Sequence, residues 1–183
     1  MRCAAWIAAA LLLTACGTAE PATTETGPTA SGTGAAPPSE TATAAAPDQE
    51  RVARAFVAFA RGDRDRPPAD TPVELYLGGH RTRTLTSSGL GDRQAWETCP
   101  EGGHFAGRVC PGSALEVLRQ HAGAVALAAR PPTNSCVPAA QTLAAATVNL
   151  TPTGVTSCLD YWLVQLVVDD GQVTAVNLVQ FEP

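Results

Sequence analysis

The feature that most constrains this chain is its C-terminal run from Cys158 to Phe181, CLDYWLVQLVVDDGQVTAVNLVQF. Two β-rich segments meet at Asp170-Gly171, and an Asp-Gly pair between such segments is a strong local signal for a tight hairpin. With those residues as the turn, Val168 faces Val173, Leu166 faces Ala175, Trp162 faces Val179 and Asp160 faces Phe181. One face is then nearly all apolar. The other, with Tyr161, Leu163, Gln165, Val167, Thr174, Val176, Leu178 and Gln180, is only partly so. Such a hairpin needs a second layer over it.

The chain before it supplies candidates. Pro47-Asp48 opens a helix with Asp48 as its expected cap, Val52, Phe56, Phe59 and Ala60 on one stripe, and Gly62 as its stop. Arg61-Gly62-Asp63 spells an integrin-binding tripeptide, but a helix C-cap accounts for the glycine. Val73, Leu75 and Leu77 alternate with Glu74 and Tyr76 as a half-buried strand up to Gly78-Gly79. His80 to Thr86 returns with Arg81 and Arg83 expected on one solvent side, guarding an edge or contacting an anion. Trp96 is expected to plug the core. Ser113 and Glu116 have the capping-box spacing for a short helix from Ala114 to His121. Ala124–Arg130 and Gln141–Leu150 read as further strands. The expectation is an α+β domain: an antiparallel sheet of about five or six strands, two helices packed on it, and two disulfides.

The N-terminus is a targeting segment. Arg2 precedes an apolar stretch, Ala4 to Leu13, too short to span a bilayer, and Leu13-Thr14-Ala15-Cys16-Gly17 follows. That motif resembles the lipobox of bacterial lipoproteins. The resemblance implies a signal peptide over residues 1–15, lipidation of Cys16, and anchoring on the extracytoplasmic face of the cell membrane. Residues 16–46 form a Thr/Ala/Pro-rich linker without large apolar side chains, which cannot offset its ordering entropy. The extracytoplasmic domain then occupies 47–183. All twelve basic residues are arginines, a bias of high-GC, actinobacterial-type genomes, and the net charge of −5 argues against a nucleic-acid partner.

With Cys3 lost in the signal and Cys16 lipidated, Cys99, Cys110, Cys136 and Cys158 remain, and three connectivities are open. Cys99 and Cys110 bracket a glycine-rich loop without a core of its own, so a local Cys99–Cys110 staple is expected. Cys136 and Cys158 flank the next strand and are paired with each other. His104 inside the first loop gives a Cys-x4-His-x5-Cys spacing. Oxidation competes with zinc there and a fourth ligand is lacking, so no metal is expected. Nor is a cofactor expected. The chain shows no GxSxG, no HExxH and no phosphate loop, and the Asp160/Glu182 carboxylates lie where strand ends are readily solvated. The chain is therefore read as a non-enzymatic, lipid-anchored binding or adaptor module of unknown ligand. An envelope protein is its candidate partner, and Phe105, Arg81, Arg83 and Val137 are its candidate contact residues.

Two further resemblances bear on rival functions. AFVAFARGD followed by strands and a long closing hairpin looks like the NTF2-like α+β cone, which implies a small-molecule-binding or enzymatic pocket. VELYLGGHRTRTLT, then TCP…GRVCPGSALEVL, then SCVPAA, is similar in cysteine order to the secreted subtilisin inhibitors of actinobacteria. That likeness implies a reactive loop directly after the third cysteine, at Val137 to Ala140. This chain departs from it in its short Cys136–Cys158 interval and in the residues that continue after the last cysteine.

Overall fold

The computed structural model describes residues 44–99, 104–105, 108–109 and 112–180. Its centre is the expected hairpin, β7 (Trp162–Asp169) and β8 (Gln172–Gln180). Asp170 and Gly171 take φ of 47° and 76°, the paired positive values that a two-residue type I′ turn requires.

The register starts as expected, with Val168 opposite Val173, and then departs. Thr174 is an extra residue, so Val167 pairs with Ala175, Leu166 with Val176 and Trp162 with Gln180. Side chains alternate with period two, and one inserted residue therefore exchanges the faces of everything beyond it. Val176 and Leu178, expected on the mixed face, instead enter the main core, and Val179 leaves it.

The strand order is β2-β1-β8-β7-β6-β5. It uses β1 (Val73–Leu77), β2 (His80–Leu85), β5 (Val125–Ala128) and β6 (Val148–Pro152). Two two-residue strands, β3 (His104–Phe105) and β4 (Arg108–Val109), pair separately. Six strands with two helices agree with the expected α+β class, but the sheet is mixed rather than antiparallel: β8 runs parallel to β1. The last strand fills the slot between β7 and β1, and only one direction is left to it by the β7 hairpin. The strand expected from Gln141 begins only at Val148; Ala139–Gln141 is a single 3₁₀ turn.

Helix α1 (Pro47–Arg61) has Ala46, not Asp48, at its N-cap, because Pro47 takes the first helical position that its fixed φ suits. Asp48 and Glu50 fall in the first turn, where acidic groups suit the helix dipole. Gly62 ends the helix at φ 89°. Helix α2 (Ala114–Gln120) starts as expected, Ser113 accepting from the Glu116 N–H at 3.1 Å. Arg61 of the tripeptide binds the two helices together. It donates to the carbonyls of Leu118, His121 and Gly123, at the end of α2.

Both helices cover one side of the sheet, the inner face. Val52, Phe56 and Phe59 of α1 and Leu115 and Leu118 of α2 meet Leu75, Leu150, Val164, Leu166, Val176 and Leu178. Trp96 closes this core, 5.5 Å edge-on to Phe56, with its indole N–H donated to Leu90 at 3.0 Å. Each fully buried aromatic there is worth about 2–3 kcal/mol of transfer free energy.

One disulfide, Cys136–Cys158, is present among the described residues, with Cα atoms 5.1 Å apart. Cys110 lies outside them, and with it the second bridge expected from the sequence. Such a bond points to an oxidising, extracytoplasmic setting. Among the described residues, no helix is long and apolar enough to cross a membrane. Cys16 and the segment around it lie outside the described residues.

Candidate functional site: a groove on the outer sheet face

The face opposite the helices is built in three rows, which the register aligns across adjacent strands. Leu163 and Val179 form an apolar row. Next to it, Asn149, Gln165 and Asn177 stand side by side on β6, β7 and β8, continued by Tyr76 on β1. The third row is Val167, Ala175 and Glu74.

The three amides are among the most buried polar side chains, at 0–1% exposure. Buried amides are tolerable only when satisfied, and these satisfy one another. Gln165 donates to Asn149 at 2.8 Å, and Asn177 donates to Gln165 at 2.9 Å. The remaining capacity is spent on backbone: the Leu143 N–H donates to Gln165, Asn177 donates to the Gln141 carbonyl, and the Gly79 N–H donates to Asn177. The row therefore fixes the segment 131–147 across the sheet. A Cβ on Gly79 would lie 3.2 Å from the Ala140 carbonyl oxygen, so the β1–β2 turn abuts the same segment.

This strap covers the apolar row as well. Val137 packs on Leu163, Val179 and Tyr161, and Cys136 ties the strap to Cys158 just ahead of β7. The third row stays open as a groove of about 470 Å³. Its sheet side is Glu74, Tyr76, Val167, Thr174 and Ala175. Leu143, Ala144 and Ala145 of the strap line the other side, with Pro72 completing it.

The polar end of the groove is a chain of three groups. The Tyr76 hydroxyl donates to one oxygen of Glu74 at 2.7 Å, and the Arg81 guanidinium donates to the other, also at 2.7 Å. The hydrogen bond from Tyr76, then that from Arg81, holds the Glu74 carboxyl below the usual carboxylate range. The same bond, with some burial, pushes the Tyr76 phenol above its ordinary value. The carboxylate is thus kept ionised, and Arg81 remains 60% exposed along its side chain.

Arg81 and Arg83 were expected to share one solvent side, but a bulge at Thr82 separates them. Tyr76 pairs with Arg81 while Leu75 pairs with Arg83, so the two side chains leave on opposite faces. Arg83 reaches the Glu97 carbonyl at 3.4 Å and takes no part in the groove. Val137 is 8% exposed, on the inner side of the strap against the sheet rather than on a loop tip. Phe105 pairs through its backbone with Arg108 in the separate two-stranded sheet, and the contact expected of its side chain lies outside the described residues. Asp160 is exposed in a 3₁₀ turn, and Glu182 lies outside the described residues. Among the described residues, no cluster of three or more His, Cys, Asp or Glu could hold a metal ion.

Sequence reasoning missed Glu74 and Tyr76 as site residues, together with the Ala144-Ala145 wall. A signal for the strap was nonetheless present. Asn149, Gln165 and Asn177 are amides inside otherwise apolar strands, and such residues require a nearby partner. No family model, curated protein or solved structure matches the chain.

Proposed function

We propose that this chain is a lipid-anchored, extracytoplasmic binding module whose ligand-facing surface is the groove beside Glu74 and Tyr76. The observation that carries the reading is the arrangement of the outer face. A strap covers two of its three rows and leaves the third open, with small apolar walls and one end lined by an ion pair. The groove suits an apolar side chain or short extended segment of an envelope partner, with Arg81 available to a carboxylate or carbonyl beside it. Cys16 supplies the lipid anchor in this reading, residues 16–46 the spacer, and a Cys99–Cys110 bridge the second staple.

The rival readings draw less support. A protease inhibitor presents its reactive residues to the enzyme's cleft, whereas Val137 points inward from the strap and packs on Leu163 and Val179. An NTF2-like pocket lies between helix and sheet, where Phe56, Phe59, Trp96 and Leu118 are packed.

The test is to fill the groove. Ala145 is exposed at its wall, so Ala145→Trp should occupy the space without disturbing the core. Full-length protein and this variant are compared as baits in detergent-solubilised native envelope. Partners retained by the parent and lost with Ala145→Trp support the reading. An identical retained set, with the variant folded, overturns it.

A further inference from the structure

The two ends of the six-stranded sheet are unlike. The β2 end carries His80, Arg81 and Arg83 and a bulge, features that discourage strand addition. The β5 end, Val125-Ala126-Leu127-Ala128, carries no charge and no bulge. Among the described residues no strand lies beyond it.

The direction of its free hydrogen-bonding groups follows from the pairing. The Thr153 N–H donates to the Ala124 carbonyl at 3.1 Å, so Ala124 turns toward β6. Antiparallel pairs alternate, which turns Ala126 toward β6 and points the N–H and C=O groups of Val125 and Leu127 away from it. Proline confirms this phase, since Pro152, opposite Val125, has no N–H to give. Val125 and Leu127 are only half-buried at the rim of the inner core, and Ala126 is exposed on the other face.

We propose that β5 is a self-pairing edge, through which two copies of this chain join antiparallel about a two-fold axis at Ala126. In that register each Val125 meets the second copy's Leu127 as a hydrogen-bonded pair. The half-buried Val and Leu side chains of the two copies close over one another and join the two inner cores. Ala126 faces its own counterpart, where a methyl group fits the close spacing of a non-hydrogen-bonded pair. A second copy is favoured over another partner because the edge is uncharged and, in this register, complementary to itself.

The experiment is sedimentation of the full chain in mild detergent over a concentration series. The parent is expected to run as a monomer–dimer equilibrium. Ala126→Glu and Ala126→Lys each place like charges opposite one another and should abolish the dimer, and an equimolar mixture of the two should restore it. Circular dichroism confirms that each variant is folded, and recovery in the mixture would itself show this. A parent that is monomeric throughout overturns the proposal. So does a dimer indifferent to both charges, or one that persists in each variant alone.

Discussion

At the scale of single residues, the outer face depends on Asn177. Its side chain holds Gln165, the Gln141 carbonyl and the Gly79 N–H at once. Asn177→Leu keeps the branching at Cγ and leaves those groups buried without partners, so destabilisation of about 3 kcal/mol is expected from the denaturation midpoint. An effect below about 0.5 kcal/mol, the level of an ordinary surface change, would mean that the strap is not held by this row. Glu74 and Tyr76 give a second prediction, in pH. A carboxylate with a depressed folded pKa contributes stability that is fully present above its unfolded pKa and is lost as pH falls through the folded value. The Tyr76 phenol, raised in the folded state, contributes below the unfolded tyrosine pKa and is lost as pH rises through its folded value. Glu74→Gln should remove the first contribution and return the phenol toward ordinary titration. Ring-carbon NMR of Tyr76 in the parent and the variant reads this directly, and no downward movement would refute the pairing. Since Glu74 is half-exposed, the stability effect itself is small after solvent screening.

At the scale of elements, the decisive residue is Thr174. Hydrophobic alternation and the Asp-Gly turn were enough to foresee the hairpin, both helices and most strands, because these are local signals. The bulge was not legible, since a threonine in a strand reads the same whether or not it is paired. Its consequence is large: it brings Asn177 level with Gln165 and Ala175 level with Val167. With Thr174 paired instead of bulged, Asn177 would face Val164, a buried amide against an apolar side chain. Deleting Thr174, the unpaired residue, should therefore keep the observed pairings and the fold, as should Thr174→Ala, which loses only one long bond to the Val167 carbonyl and should cost less than about 1 kcal/mol. Deleting Val176 instead exchanges the faces of all that follows it and should prevent folding. Amide proton dispersion in NMR spectra distinguishes the two deletions, and an unfolded Thr174 deletion would contradict the bulged register. The parallel placement of β8 beside β1 was equally hidden, being a long-range choice. So was the strap: Gln141 to Thr147 has a strand-like composition, and only the amides it meets explain why it lies across the face.

At the scale of the whole molecule, a helix-covered core carries a thinner second layer pinned by one covalent link. Cys136 and Cys158 are 22 residues apart. By the loop-entropy model their bond contributes about 3 kcal/mol. The double change Cys136→Ser, Cys158→Ser should lower the denaturation midpoint accordingly and admit protease between residues 131 and 147 before the helices are cut. Simultaneous loss of all regions would show instead that strap and core are one cooperative unit. The groove exists only where the strap stops short, so its function depends on this layer. The most direct test of that claim is site-specific photo-crosslinking in living cells. A photoreactive side chain is introduced at Ala144, in the groove, or at Arg51, exposed on α1. The account predicts a discrete adduct to an envelope partner from position 144 and none from position 51. Adducts from position 51 with nothing from the groove would place the working surface on the helices and contradict it.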